Sequence, residues 1–508
     1  MSTEAENTPA HKETDPGRLG LRGRLGFLLK DSILYGGAAA FMQGLSLITF
    51  PIMSRHFDVA DYGTIDFFGV VGTFLAVLLA FGINRTVARF FYDSTETKHR
   101  KQVISQGLAM NLLIAIPAVC AMYLASDVMI GFAPKSPDTQ LLITLTILDA
   151  PLAVVTTQAL AICKWSYARK RYLVLAVGTA VLRATVLVTL ILVFDVGVVG
   201  IFWMNIALSG VSALVGIAFI AQWLEVPRFN AMAGAMIIYA LPLWLISTLS
   251  VVGPLIERGI TNRIFGDEGL GLYAAGAKIA MLISLPLFAF QMAWGPLALS
   301  IHKEENSHVT YSLILRLYTL CAWTAALMLG ALAPFLLWLL APPEYAKGYL
   351  VTLPLAVGLA FTGLQGIIDL GITIKKKSHL RIPGFLAGIT VGLPAIYVLG
   401  SHMGIVGIAL GALLMKTVEM IINAAISIRI HPMQWPVERV TTTCVIGIIF
   451  GLAITAGQLY GTIAWSYVIS AVTICTFVIL AYRITMKKDE QQALVSAIVE
   501  KFRSITRP

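Results

Sequence analysis

Charged residues are scarce in this sequence of 508 residues, at 13% of the chain, whereas 57% of the residues are hydrophobic. A soluble domain carries about 25% charged and about 45–50% apolar residues. Surfaces this poor in charge would not stay in water, so the excess apolar surface must face lipid. The composition therefore excludes a soluble enzyme, a disulfide scaffold and a disordered tail protein, and it indicates a polytopic membrane protein.

Features typical of metal, redox or nucleotide sites are also missing from the sequence. The five cysteines lie within or beside apolar runs, and none forms a C-x-x-C pair. The nearest approach to a phosphate loop, Gly271 to Lys278, lacks the Gly-Lys-Ser/Thr ending and lies on an apolar run. No polar segment between apolar runs is long enough for a soluble catalytic domain. We expect no catalytic residues, no cofactor and no metal.

Long apolar runs fill most of the chain. A hydrocarbon core of about 30 Å needs roughly 20 apolar residues per helix, which gives about fourteen spans, from 32–53 to 463–482. The sequence thus predicts an all-α polytopic membrane protein. On the eleventh predicted span, Gly384, Gly388 and Gly392 recur at every fourth residue, and this spacing predicts a close-packed helix contact.

Basic residues alternate in number from one connection to the next. With both termini on the cytoplasmic side, 28 of the 37 Lys and Arg residues fall in cytoplasmic segments and five in external loops. This asymmetry follows the positive-inside rule. It predicts a multi-pass protein with both termini in the cytoplasm, and it explains the net charge of +10 without a nucleic-acid partner.

One short motif occurs twice. An Arg-x-Phe sequence begins at Arg55 and again at Arg263, 208 residues later, and a glycine follows each Phe after six residues, at Gly63 and Gly271. Each copy lies between the first and second span of a half, so the motif predicts two related six-helix lobes, a common plan in transporters. The predicted domains are a cytoplasmic tail (1–31), a first lobe of helices 1–6 (32–228), a second lobe of helices 7–12 (229–430), helices 13–14 (431–482) and a cytoplasmic tail (483–508).

Several short segments together point to a known family. They are Leu28-Leu-Lys-Asp-Ser32, Phe50-Pro-Ile-Met-Ser-Arg55, Ala60-Asp-Tyr-Gly63 with Asp66, Gly82-Ile-Asn-Arg85, Glu257-Arg258, Gly269-Leu-Gly-Leu-Tyr273, Ala293-Trp-Gly-Pro296 and the run 404–411. In this order they resemble the bacterial polysaccharide-biosynthesis membrane proteins. These are the lipid-linked oligosaccharide flippases of the multidrug/oligosaccharidyl-lipid/polysaccharide exporter superfamily. Glu257 departs from the pattern, because an Asp is more usual there.

The resemblance implies a function that composition does not. It implies that the protein flips an undecaprenyl-diphosphate-linked oligosaccharide from the cytoplasmic to the periplasmic leaflet of a bacterial inner membrane, for surface polysaccharide of the O-antigen or lipopolysaccharide type. It also implies two six-helix lobes around a cavity that opens alternately to each side. The implied partners are the lipid-linked oligosaccharide, membrane lipids and the polysaccharide polymerase machinery.

Four basic residues fall within the predicted spans, where a charge costs about 2.5–3.5 kcal/mol and usually faces a cavity or a partner. Arg183 lies 12 residues past Arg171, about 18 Å along its helix, and Lys278 lies about 12 Å from the external end of its helix. With Lys416 they are candidates for binding the diphosphate. The alternative is structural pairing with acids, which for Lys416 would be Glu419, three residues on. Arg316 is near a helix end and is expected to reach the membrane surface.

Acidic residues near or within the spans are candidates for ion coupling. A carboxylate in an apolar cavity has a raised pKa and can carry a proton between faces. Asp149, Glu257 and Asp369 are therefore candidates for coupling transport to a proton or sodium gradient. For Glu257 the alternative is local pairing with Arg258.

Other functions remain open at this point. A cation-coupled small-molecule or drug exporter of the same superfamily would want acids in its cavity, whereas here basic residues are at least as prominent. A lipid-linked peptidoglycan precursor is a third possible substrate. A membrane-embedded glycosyltransferase, polymerase or acyltransferase usually needs a sizeable external loop or a His/Asp pair at the membrane face, and the sequence offers neither.

Overall fold

The chain folds into a bundle of long helices in a computed structural model, which describes residues 21–302, 304, 307–461 and 463–486. Twelve helical segments there are long and apolar enough to cross a membrane, and glycines divide two of these into two helices each, which makes fourteen. They are α1 (Leu21–His56), α2 (Val59–Ala80), α3 (Thr97–Leu124), α4 (Thr139–Trp165), α5 (Arg169–Phe194), α6 (Val198–Ile220), α7 (231–265), α8 (267–301), α9 (Ser307–Leu340), α10 (Tyr349–Ile368), α11 (382–403), α12 (405–430), α13 (Val437–Tyr460) and α14 (Ile463–Thr485). The prediction of an all-α polytopic fold is confirmed.

The arginines of both copies lie on helices rather than in the external loops that we expected. Helix α1 continues to His56, so Arg55 lies in its last turn, and α7 continues to 265, so Arg263 does too. The apolar-run criterion ends a span at the first charges. A helix satisfies its own backbone and extends beyond the hydrocarbon core, where charged side chains are solvated.

Single glycines make two of the sharp reversals. Gly266, between α7 and α8, has φ 67°, and Gly404, between α11 and α12, has φ 68°. These left-handed conformations are readily adopted by glycine and strained for most other residues. The end of the bundle that holds Gly266, Gly404 and the turn between α1 and α2 is called the motif end below. The opposite end, which holds Leu21 and Met486, is called the tail end.

The two copies of the motif contact each other at the motif end, in a reciprocal way. A Cβ placed on Gly63 would lie 2.6 Å from the carbonyl oxygen of Asp267, and a Cβ on Gly271 would lie 1.8 Å from that of Val59. Val59 and Asp267 are themselves 208 residues apart. Each copy therefore touches the other as subunits do about a two-fold axis, and α2 packs against α8 with no room for side chains.

A second pair of contacts repeats with the same offset. The Ser54 hydroxyl donates a hydrogen bond to the carbonyl oxygen of Leu340 (3.1 Å), and the Asn262 side-chain amide donates one to that of Phe132 (3.3 Å). Asn262 follows Ser54 by 208 residues, and Leu340 follows Phe132 by the same number. The short sequence repeat thus corresponds to a local two-fold arrangement of backbone at the motif end.

The motif end is closed. The aromatic rings of Phe50 and Tyr62 lie 5.4 Å apart, and the ring of Tyr345 lies 5.9 Å from that of Tyr62. The Tyr345 hydroxyl donates to the carbonyl oxygen of Asp58 at 2.9 Å. Since Tyr345 precedes α10 while the other residues lie on or between α1 and α2, these contacts join the first part of the chain to the second.

The predicted close packing on α11 is confirmed. A Cβ on Gly384 would meet the side chain of Asn423, and one on Gly392 would lie 2.4 Å from the Cβ of Met415. Both partners lie on α12. The glycines let these two helices approach each other closely.

Helix α7 contacts both parts of the molecule. Near its tail end, the Trp244 indole N–H donates to the carbonyl oxygen of Leu78 on α2 (3.0 Å), and the Trp244 ring lies 5.0 Å from that of Phe81. Toward the motif end, Ile256 and Ile260 pack with residues of α11 and α12. A helix that belongs to the second half by chain order therefore also covers the first.

Candidate functional site

Two adjoining cavities occupy the tail half of the bundle. The first, of about 530 Å³, lies among α2, α4, α5, α6 and α7. The second, of about 560 Å³, lies among α7, α8, α10, α11 and α12. Arg85 lines both cavities. Together they form one space, lined by charged and apolar side chains, on the tail side of the closed motif end.

The first cavity brings together two of the residues that the sequence singled out. Arg183 on α5 lines it and donates a hydrogen bond to the Ser209 hydroxyl at 2.6 Å. Asp149 on α4 lines it as well, and its Oδ1 is buried without a hydrogen-bond partner. Buried polar atoms are usually hydrogen-bonded. Asp149 Oδ1 is therefore an unsatisfied acceptor at the cavity wall within the described part of the chain.

The second cavity holds two ion pairs. The Lys416 Nζ lies 3.0 Å from the Glu419 Oε2, and the Arg381 Nε lies 2.9 Å from the Asp369 Oδ2. All four residues line the cavity, and Asp369 is only 1% exposed. Lys416 therefore has the acidic partner that its spacing predicted, and Asp369 has a partner from the segment that precedes α11.

Arg85 and Arg381 are cavity cations that the sequence did not single out. Arg85 is the one that lines both cavities. It follows α2 in the segment Gly82-Ile-Asn-Arg85 and lies on the short helix Ile83–Phe91. Gly82 has φ 66°, and a Cβ there would lie 2.7 Å from the carbonyl oxygen of Ala240 on α7, so only glycine fits. The buried side chains of Ile83 and Val87 anchor the short helix, while Arg85 on its other face lines both cavities.

Two guanidinium groups influence each other at this place. Partial burial and the like charge of Arg381 lower the pKa of Arg85 from its ordinary value, although an arginine stays protonated. Arg85 comes from the first half of the chain and Arg381 from the second. Because like charges repel, an anion between them would be stabilised by both.

Lys278 lies elsewhere. Its Nζ lies 2.5 Å from the Ser46 Oγ on α1, so the side chain bridges α8 and α1. It lines neither of the two cavities. The structure therefore does not bring Lys278 together with Arg183.

Glu257 lies in a buried ionic cluster nearer the motif end. The Arg258 Nε lies 3.0 Å from the Asp66 Oδ2, and its Nη1 lies 3.2 Å from the Glu257 Oε2. The Tyr273 hydroxyl donates to the same Glu257 oxygen at 2.9 Å. The local pairing that Arg258 suggested is present, and the guanidinium also connects α7 to α2.

The expectation for Arg316 was wrong. Instead of reaching the membrane surface, its side chain is 1% exposed, and its Nη1 donates to the carbonyl oxygen of Thr485 at 3.0 Å. Thr485 is the last residue of α14. A cation at the carboxyl end of a helix binds orphan carbonyl groups and interacts favourably with the helix dipole, so Arg316 is buried against a neighbour rather than solvated.

Sequence comparisons relate the chain to polysaccharide biosynthesis proteins. Residues 28–302 match the family model described as polysaccharide biosynthesis protein. The Lsg locus putative protein 1 of Haemophilus influenzae is 21% identical over 285 residues, which cover 55% of this chain and 68% of that protein.

Comparisons of structure find the same fold in two kinds of transporter. The lipid II flippase MurJ in an inward closed conformation aligns with a TM-score of 0.67 at 13% identity, over 89% of this chain and 99% of MurJ. An inward-facing multidrug resistance MATE transporter of the MOP superfamily aligns with a TM-score of 0.62 at 16% identity, over 77% of this chain and 94% of that one. At these identities the likeness concerns the fold.

Proposed function

The chain belongs to the polysaccharide biosynthesis protein family, and from that premise we propose that it flips an undecaprenyl-diphosphate-linked oligosaccharide across a bacterial inner membrane. The single observation that carries the proposal is the set of cations that line the two adjoining cavities. They are Arg85, Arg183, Arg381 and Lys416.

These cations suit a lipid diphosphate. A diphosphate must lose much of its hydration to enter a low-dielectric slab, and charge-assisted hydrogen bonds from guanidinium and ammonium groups offset that loss. Arg85 and Arg183 have no acidic partner within the part of the chain that the structure describes, so their charges are available to a ligand. Lys416 and Arg381 share theirs with Glu419 and Asp369 in the second cavity. The diphosphate therefore lies beside Arg85 and Arg183, and the sugars extend into the second cavity.

The direction of transport follows from the predicted orientation. With both termini in the cytoplasm, the tail end faces the cytoplasm, and the present conformation, closed at the motif end, receives substrate from that side. The segments 32–228 and 229–430 then move relative to each other, which breaks the motif-end contacts and closes the tail end. The product enters the outer leaflet, where polysaccharide polymerase machinery would use it.

Asp149 is the leading candidate for coupling to a proton or sodium gradient. Its buried Oδ1 has no hydrogen-bond partner and faces the cavity that also holds Arg183. Asp369 and Glu257 are paired with Arg381 and Arg258, so protonation of either would break an ion pair. Of the three, only loss of the Asp149 charge leaves every observed ion pair intact.

A cation exporter is the second candidate, and one observation favours it. Asp149, Asp369 and Glu419 line the same cavities as the cations, and a cationic substrate could pair with them. The choice between the two depends on which charge the transported molecule carries.

Flipping of a fluorescent undecaprenyl-diphosphate oligosaccharide in proteoliposomes tests the proposal. We expect activity in the wild type and a loss of at least about tenfold in Arg85→Gln and in Arg183→Gln, since charge-assisted hydrogen bonds contribute about 1.5–3 kcal/mol each.

Arg89→Gln is the matched control. Arg89 lies on the same short helix as Arg85, one turn further on, and pairs with Asp93 instead of lining a cavity. Its flipping rate should equal that of the wild type. Export of a small cation without flipping of the lipid would select the exporter, and chemical conversion of the lipid-linked sugar by the purified protein would indicate an enzyme.

A further inference from the structure

A separate pocket of about 420 Å³ opens between the two parts of the chain near the motif end. Phe67 and Phe68 of α2 form one wall and Leu255 and Ile260 of α7 another, while Leu393 of α11 lies at its edge. The lining is almost wholly apolar, and Arg263 contributes its one cationic side chain. This space is distinct from the two cavities at the tail end, with which it shares only Phe68.

Arg263 differs from its counterpart in the repeat. Arg55, 208 residues earlier, donates to the carbonyl oxygens of Leu339 (3.1 Å) and Leu340 (3.4 Å). At the equivalent place in the second copy, Asn262 alone binds the carbonyl oxygen of Phe132. Within the described residues, Arg263 has neither a hydrogen bond nor an ion pair. The two copies of the motif therefore differ at this position, and the Arg263 guanidinium is exposed at the pocket.

The pocket has the depth of one leaflet. Arg263 is in the last turn of α7, and Leu255 lies eight residues before it, which is about 12 Å along the helix. Half of a hydrocarbon core is about 15 Å. Leu393 and Tyr397 at the pocket edge are 45% and 54% exposed, so this edge faces the surrounding lipid. A chain could enter from the side while its headgroup stays at the membrane surface.

We propose that this pocket binds a glycerophospholipid of the motif-end leaflet, with one acyl chain along α7 and the phosphate on Arg263. Charge complementarity supports this occupant, because one guanidinium matches the single negative charge of a phosphodiester. A diphosphate suits the several cations of the tail-end cavities better. The inference does not depend on the substrate proposed for those cavities.

The bound lipid would act on the conformational equilibrium. Its pocket has walls from α2 and α4 on one side and from α7 and α11 on the other, so an occupant contacts both parts of the chain. Separation of the motif end would pull these walls apart. A ligand that binds one conformation better shifts the population toward it, and the lipid thus favours the closed motif end.

Two substitutions test the site by different means. Arg263→Gln removes the charge and keeps a polar side chain. Gly259→Leu fills the pocket, and a Cβ at Gly259 meets nothing within 4 Å, so the helix should accept it. Arg89→Gln, which removes a charge remote from the pocket, is the control for charge, and Gly234→Leu, at another uncrowded glycine of α7, is the control for the added side chain.

The experiment uses the purified full chain with phosphatidylglycerol that carries a photoreactive diazirine on one acyl chain. We expect cross-links to residues 255–260 of α7 in the wild type and in both controls. In Arg263→Gln, half-maximal cross-linking should require about tenfold more lipid, as expected for a lost charge-assisted hydrogen bond. Gly259→Leu should lose the cross-links.

Two results would overturn the proposal. One is equal cross-linking of α7 in Gly259→Leu and in the wild type. The other is displacement of the probe from α7 by undecaprenyl diphosphate at a lower concentration than by unlabelled phosphatidylglycerol, which would assign the pocket to the polyprenyl cargo. If the wild type failed to flip the undecaprenyl-diphosphate oligosaccharide, the proposed function would be overturned, whereas the cross-linking of α7 by phosphatidylglycerol would be unaffected.

Discussion

Replacing Gly271 by alanine places a methyl group against the backbone of α2. The new Cβ would lie 1.8 Å from the carbonyl oxygen of Val59, and real Cβ contacts essentially never fall below 3.0 Å. Because the clashing atom belongs to the backbone, α2 and α8 must separate by more than an ångström, and the change cannot be absorbed by a side-chain rotation. Overpacking of this kind costs about 1–3 kcal/mol.

The clash destabilises only the conformation with a closed motif end. The Gly63–Gly271 contact belongs to the closed motif end, and opening of that end would remove it. Alanine also gains about 1 kcal/mol over glycine in a helix interior, and this gain applies to both conformations. The open motif end should therefore become about tenfold more populated in Gly271→Ala, since 1.4 kcal/mol corresponds to that factor.

Hydrogen exchange of the full chain measures this shift. Backbone amides of 57–67 should exchange faster in Gly271→Ala than in the wild type, and Gly63→Ala should act in the same direction but more weakly, since its closest contact is 2.6 Å. Gly210→Ala on α6, where a Cβ meets nothing within 4 Å, is the control. Equal exchange of 57–67 in Gly271→Ala and Gly210→Ala would show that the close contact at Gly271 does not control opening of the motif end.

Two further substitutions probe contacts that join the two parts of the chain. Arg258→Met should lower the stability by about 3–5 kcal/mol, because it leaves Asp66 and Glu257 without their buried counter-charge. Thermal unfolding in detergent would measure it, and an unchanged midpoint would contradict the pairing. Tyr345→Phe should cost about 1 kcal/mol through the lost hydrogen bond to Asp58, and faster exchange at the motif end would report it.

The membrane helices could be predicted from the sequence because each one needs a long apolar run, and such runs are visible without knowledge of the partners. The residues at which these helices end could not be predicted in this way. Helix α7 continues through Glu257, Arg258 and Arg263 to residue 265, since charges stop an apolar run but do not stop a helix.

The cavity residues were predicted in part. Arg183 and Asp149 were identified because an ionisable residue deep in a span is costly and usually functional. Arg85 was missed because it lies just past the end of an apolar run and was counted as a loop residue. Its position follows from Gly82, whose close approach to Ala240 turns the short helix toward the cavity.

Lys278 illustrates what a sequence alone does not contain. Its depth in the membrane resembled that of Arg183, but the direction of a side chain depends on how its helix is rotated against its neighbours. In the structure Lys278 turns toward Ser46, whereas Arg183 turns into the first cavity. Likewise, Arg316 is buried because α14 ends beside it, a contact between segments far apart in the chain.

The most direct test of the central claim is an electron cryomicroscopy map of the protein with a bound undecaprenyl-diphosphate oligosaccharide. We expect diphosphate density between Arg85 and Arg183, with sugar density toward Lys416, while the motif end is closed. Diphosphate density at Lys278, or anywhere outside the two tail-end cavities, would contradict it.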